Sequence, residues 1–145
     1  MNASLMTTII AGVSVFVIGQ FLLKLVIEPI VTFKNTLGEV SALFLREQAK
    51  ITNANASEEI RQELLLLSSS ILARKQSILY YRFFAFILQM PSASSLVSAC
   101  QSLNRIAHLA YHPASEKPPS SNNSVEIHKE MKNINEKLKI TVSYS

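Results

Sequence analysis

The sequence predicts an all-α chain: one N-terminal transmembrane helix followed by a small cytoplasmic helical hairpin or bundle. Three observations predict it. Charged residues are 17% of the 145, against about 25% in a typical soluble domain, and Met1 to Leu23 holds none of them. Only three glycines occur, Gly12, Gly19 and Gly38, whereas a sheet-rich chain needs glycines in its turns. Beyond the apolar N-terminus, hydrophobic residues recur at helical spacings of three and four. The organisation that follows is an anchor over 1–28, a helical domain over 29–111, a linker over 112–123, and a short amphipathic helix with a tail over 124–145.

The anchor comes first. Leu5 to Leu23 carries nothing ionisable, and a run of roughly 18 or more such residues is a candidate span. Extended to Ile27 it measures about 34 Å as a helix, enough to cross a hydrocarbon core of about 30 Å. Lys24 falls near the boundary, where its stem lies in lipid and its ammonium reaches water. Glu28 sits one turn on and can pair with it. Pro29 lacks an N–H and disfavours helix at Glu28, so a kink or break is expected there. Lys24, Glu28 and Pro29 are therefore the candidate membrane-interface residues. A cleaved signal peptide fits less well, for want of a basic n-region, a short apolar core and a small-x-small site. A buried core helix would be unusual with no polar face over five turns.

Orientation follows from the flanks. The N-terminal side has no Lys or Arg, while Lys24, Lys34, Arg46 and Lys50 follow the span, which places the N-terminus outside and the remainder in the cytoplasm. Gly12 and Gly19 permit close helix approach, though no GxxxG is present. Gln20 either bonds a partner helix or is solvated.

The cytoplasmic elements follow in order. Ile30, Phe33, Leu37, Val40, Phe44 and Ile51 form one helical seam, suited to core packing and too short to establish a coiled coil. The stretch ITNANAS is a loop. Ser57 caps the next helix, with Glu58 and Glu59 in its first turn, and the apolar stripe Ile60, Leu64, Leu67, Ile71 and Ile78 carries it to about Phe86. Ile78 to Met90 is strongly aromatic and too short to span. It reads as the packed centre of the bundle or as an interfacial helix with Arg74, Lys75 and Arg82 toward headgroups, and the first reading is preferred. Pro91 ends that helix, Ser92 or Ser94 caps the next, and Pro113 stops it near Tyr111. His112 to Asn123 holds three prolines and is a linker. Asn123 with Glu126 resembles a capping box. Ile127, Met131, Ile134 and Leu138 then form a narrow seam that can dock on the bundle or capture a partner helix. The candidate interaction residues are Phe33, Leu37, Val40, Phe44, Tyr81, Phe83, Phe84, Ile127, Met131, Ile134 and Leu138.

Signals for chemistry are weak. Cys100, Asn104, His108 and His112 recur at intervals of four and would share a helix stripe, but His112 precedes Pro113 and a further ligand is not evident except distant His128. A polar helix face is the better reading, and Cys100 reads as a small buried residue rather than a nucleophile. No Walker, GxGxxG, GxSxG or HExxH pattern occurs. The acids Glu58 and Glu59 are explained by their helix start. Asn-x-Ser sites at Asn2, Asn55 and Asn122 are common by chance, and the last two are cytoplasmic on this topology. No catalytic, cofactor-binding or metal-ligating residue is assigned, and no enzyme is expected. The net charge of +4 is mild and its basic residues are scattered, which disfavours nucleic acid. The single cysteine allows no internal disulfide and suits a reducing compartment. The expected partners are the lipid bilayer and either a second copy or another protein, with no small-molecule substrate identified.

The stretches LLKLVIEPIVTFKNTLGEV and EIRQELLLLSSSILARKQSILYYRFF, followed by MPS, resemble a group of small uncharacterised bacterial single-pass membrane proteins with a juxtamembrane E/D-P-I segment and a cytoplasmic helical region. The resemblance covers roughly Val17 to Tyr111 and rests on Glu28, Pro29, Gly38, Glu39, Arg61, Leu64, Tyr81 and Pro91. It implies a bacterial inner-membrane location and carries no catalytic residues. Two functions follow as expectations. One is a membrane-anchored interaction, scaffold or adaptor module at the cytoplasmic face. The alternative is a membrane-active oligomerising effector, toxin-like or defence-associated, using the span and the aromatics from Tyr80 to Phe86.

Overall fold

Helix α1 runs without interruption from Ala3 to Arg46, 44 residues, in a computed structural model that describes residues 2–112 and 121–144. Of the kink or break expected at Glu28–Pro29, the break does not occur. Instead Leu23–Ile27 forms a π turn, and the Glu28 amide donates to the Leu23 carbonyl five residues back. The cause is Pro29. A proline ring clashes with the carbonyl four residues earlier and offers it no donor. A wider turn just upstream relieves the clash and lets the helix continue.

The two halves of α1 have opposite surroundings. Nothing in Ala3–Leu22 or Leu23–Ile27 is buried. Beyond Pro29, the seam Ile30, Phe33, Leu37, Val40 and Phe44 is buried, joined by Thr36 and Leu43. The helix bends at Glu47, whose φ of −107° and ψ of 19° leave the helical region. A short α2, Gln48–Thr52, then buries Ile51.

Helix α3, Glu58–Gln76, starts where the sequence places its cap, with the Ser57 hydroxyl accepting from the Ile60 amide. It returns antiparallel along α1. Arg46 pairs with Glu63 at 2.9 Å at one end, and Arg74 and Ser77 lie beside Lys24 and Glu28 at the other. The single helix expected through Phe86 is two helices. Tyr80 adopts the left-handed conformation, φ 52°, and α4 begins anew at Tyr81–Ile87. A straight continuation would carry the aromatic segment alongside the bare half of α1. The turn folds it across the end of the bundle, where the Tyr81 ring meets Phe33 edge-on at 5.8 Å.

Helix α5, Ala93–Ala110, is capped by Ser92, whose hydroxyl accepts from the Ser95 amide at 3.1 Å. It lies antiparallel to α3. The buried Ser68 hydroxyl donates to the Cys100 carbonyl at 3.2 Å, and the Cys100 thiol donates to the Ser68 carbonyl at 3.3 Å. At the far end the Ala56 amide donates to the Ala110 carbonyl at 2.9 Å.

The proline-rich linker lies mostly at 113–120, outside the described residues. Helix α6 already begins at Ser121 and runs to Leu138, so Asn123 stands in its first turn rather than at its cap. The Asn123 amide donates to the Leu109 carbonyl and lies 3.1 Å from His112 Nε2. Ile127, Met131, Ile134 and Leu138 are all buried, with Val142 beyond them. A polar clasp fixes the register of α6 on α5. The Ser102 hydroxyl donates to Glu130 at 2.5 Å, and the Asn133 amide donates to the Ser102 and Ser98 hydroxyls at 2.8 and 3.3 Å. Arg105 reaches Glu126 and Glu130 at 3.3 and 3.4 Å. The terminal helix is thus a full member of the bundle. Among the described residues no buried side-chain nitrogen or oxygen lacks a partner, as expected where an unmet polar group costs about 1–3 kcal/mol.

Candidate functional site: where the bare half of α1 meets the bundle

The bare half of α1 is apolar on every side. Its two threonine hydroxyls turn inward: Thr7 and Thr8 donate to the Ala3 and Ser4 carbonyls at 2.9 Å. Such back-bonding keeps a polar group satisfied without water. This is one helix long and apolar enough to cross a membrane, with no part of its apolar window buried.

The rod ends in a polar collar. Lys24 donates to Glu28 at 2.7 Å, both largely exposed. The Thr32 hydroxyl donates to the Glu28 carbonyl at 2.8 Å. Lys24, Glu28, Pro29 and Thr32 form one wall of a cleft of about 250 Å³, and Arg74 and Ser77 form the other. The three residues selected from the sequence are therefore brought together. Their opposite wall comes from the last turn of α3, through the antiparallel pairing of α3 with α1.

Beside the collar lies the aromatic turn. Tyr81 is 6% exposed, and its hydroxyl donates to the Pro91 carbonyl at 2.6 Å. Burial pushes this phenol up to about 12. The Lys75 ammonium sits 5.6 Å from the Tyr81 ring centroid, within cation–π range. Ala85 is buried and Phe84 half-buried, the latter edge-on to Phe83 at 5.3 Å. On the other side of α4, Tyr80 is 75% exposed, Phe83 60% and Phe86 85%, with Leu79 and Ile87 open as well. Of the two sequence readings of Ile78 to Met90, the core reading holds for one face only.

The same core takes up most of the candidate interaction residues. Phe33, Leu37, Val40, Phe44, Tyr81, Ile127, Met131, Ile134 and Leu138 are buried within this chain. They belong to a single hydrophobic core. Of the candidates, Phe83 alone is exposed and Phe84 partly so. Periodicity marks which face of a helix is buried, not what buries it. Sequence pattern also does not place Arg74 and Ser77 beside Lys24. One sign of this basic end was available: no acidic residue lies between Glu63 and Glu116.

The Cys/His stripe does not converge. Cys100 is buried, and burial pushes its thiol up against a smaller opposing effect of its bond to Ser68. Asn104 and His108 point to solvent. Among the described residues no three His, Cys, Asp or Glu side chains gather to hold a metal ion. No family model, no curated protein and no solved structure matches this chain.

Proposed function

We propose that the chain is a single-pass, membrane-anchored helical module that acts as a scaffold or adaptor at the cytoplasmic face of a bacterial inner membrane, without catalysis of its own. One observation carries this reading. A single continuous helix is bare and apolar over its first half and buries a seam of side chains in the bundle over its second. In water the bare half would expose a large apolar surface at roughly 25 cal/mol per Å². In a bilayer that surface is solvated by lipid and its backbone is satisfied within the helix. Because α1 continues through Pro29, the bundle is coupled rigidly to the span and held in one orientation to the membrane.

The distribution of charge supports the topology. Lys24, Arg74, Lys75 and Arg82 cluster where the rod leaves the bundle, and the rod carries no cation before Lys24. Basic residues beside a span favour the cytoplasmic side and attract its anionic leaflet. An anchored bundle raises the effective concentration of whatever it binds.

The test is to purify the intact chain in mild detergent, measure the mass of the particle, and identify its components by mass spectrometry. A stoichiometric second protein supports an adaptor, and a defined homo-oligomer supports a self-assembling scaffold. A lone monomer at all expression levels rejects both.

The exposed aromatics of α4 favour one second reading, a membrane-active oligomerising effector. Growth arrest and dye uptake on induction, both lost with Phe83→Ser and Phe86→Ser, would select it.

A further inference from the structure

We propose that the outward face of α4 is a second membrane-contact surface, reaching into the headgroup layer of the leaflet from which α1 emerges. The inference rests on the reading of α1 as a span.

The geometry of α4 carries it. The helix is only 7 residues long, Tyr81–Ile87, yet it is apolar nearly all round. Such a helix needs apolar cover on every side. At about 100° per residue, Tyr81, Phe84 and Ala85 fall on one arc, which packs into the bundle. Phe83, Phe86 and Ile87 fall on the opposite arc, which the chain leaves open, and Tyr80 in the turn before it is open as well. Arg82 lies at the seam between them and is exposed. With Leu79, the open side chains present apolar surface on the order of 600 Å². The largest apolar patch on a typical soluble monomer is about 300–600 Å² and is often functional.

Position selects the occupant. Tyr81 touches Phe33, six residues beyond Ile27, or about 9 Å along the helix axis. The headgroup layer outside the hydrocarbon core is itself roughly 5–8 Å deep. The turn that precedes α4 is closer still, because Ser77 lines the cleft with Lys24 and Glu28. Lys75 and Arg82 stand beside Tyr80 and Phe83, Lys139 stands beside Phe86, Arg74 lines the neighbouring cleft, and no acid lies between Glu63 and Glu116. Aromatic side chains with flanking cations match an anionic leaflet. A second copy meeting this face would bring the same cations into like-charge contact.

The chain contains no tryptophan, so a single introduced one reports its own surroundings. The full chain, as Phe86→Trp and separately as Phe83→Trp, is reconstituted into vesicles of phosphatidylcholine and phosphatidylglycerol. Phe16→Trp reports the span, and Val125→Trp reports an exposed site at the far end of the bundle. The expected result is blue-shifted emission from the Phe86→Trp and Phe83→Trp proteins, with strong quenching by lipids brominated near the glycerol end and weak quenching by iodide. The Phe16→Trp protein is quenched by lipids brominated deep in the chain, and the Val125→Trp protein by iodide alone. If Phe16→Trp behaves so but Phe86→Trp and Phe83→Trp are quenched by iodide as fully as Val125→Trp, the span stands and the α4 contact is overturned. Shielding of both α4 probes from iodide and bromolipid alike also overturns it, because a protein then covers the face. Loss of lipid quenching for Phe16→Trp overturns the span and with it the proposal.

Discussion

Tyr81 ties the aromatic turn to the core, and its chemistry makes a sharp prediction. Its hydroxyl is buried and donates to the Pro91 carbonyl. Tyr81→Phe leaves that carbonyl without its donor and should cost about 1–2 kcal/mol, read from urea unfolding of the full chain in detergent. The pH dependence follows from the raised phenol. In the unfolded chain the group ionises near about 10, and in the folded chain at about 12. Above the lower value the unfolded state sheds a proton that the folded state keeps, so ionisation favours unfolding. The stabilisation is whole below pH 10 and disappears as pH rises towards about 12. The phenylalanine variant should lose less stability over that interval than the parent. Equal losses would mean that the phenol is not held neutral by the fold. The exposed Lys24–Glu28 pair is a contrast, since such pairs contribute only about 0–1 kcal/mol. Its importance lies in where it stands.

Elements show which features the sequence reveals and which it hides. The seams of α1 and α6 were legible because residues such as Phe33 and Ile134 recur with the helical period. The caps Ser57 and Ser92 were legible from residue type. The break between α3 and α4 was not. Its left-handed residue is Tyr80, and the others among the described residues are Ala54, Gln89 and Lys139, with no glycine among them. Turns built without glycine leave no mark in composition. They do leave strain, about 1–2 kcal/mol for a left-handed residue with a Cβ. Gln89 is exposed and outside the buried set, so Gln89→Gly should be neutral to stabilising by up to about 1 kcal/mol. Gln89→Val, with a branched Cβ, should destabilise by about 1–2 kcal/mol. Thermal unfolding of the two variants checks the sign of each. The continuation of α1 through Pro29 was equally hidden, since proline predicts a boundary and the π turn that avoids one has no local signature. The docking of α6 yields a further test. Ile134 is fully buried, and truncation of such a side chain costs about 2–5 kcal/mol. Ile134→Ala should therefore lower the urea midpoint of the whole bundle. No change would show that α6 is not part of the folding unit.

At the scale of the molecule, one long helix joins two environments. Its first half is bare, apolar and long enough to cross a membrane, and its second half packs its buried seam into the bundle along α3. The candidate site was half legible for this reason. Lys24, Glu28 and Pro29 stand together in the chain, so local reasoning finds them. Arg74 and Ser77 reach the same cleft only because α3 returns along α1, a pairing no local pattern encodes. The open face of α4 was hidden similarly, since an aromatic cluster at helical spacing does not say how much of it the core absorbs. The proposed function rests on one topological claim, that α1 crosses the bilayer once with the bundle on the cytoplasmic side. Paired single-cysteine labelling tests it most directly. In a Cys100→Ser background, Ala3→Cys and Tyr144→Cys are each exposed in cells with an intact inner membrane to a maleimide that cannot cross it. Both positions are open to solvent in the fold. Labelling at position 3 but at 144 only after the membrane is breached is the expected result. Labelling of both positions, or of neither, before the membrane is breached would place the two ends on the same side and contradict a single crossing.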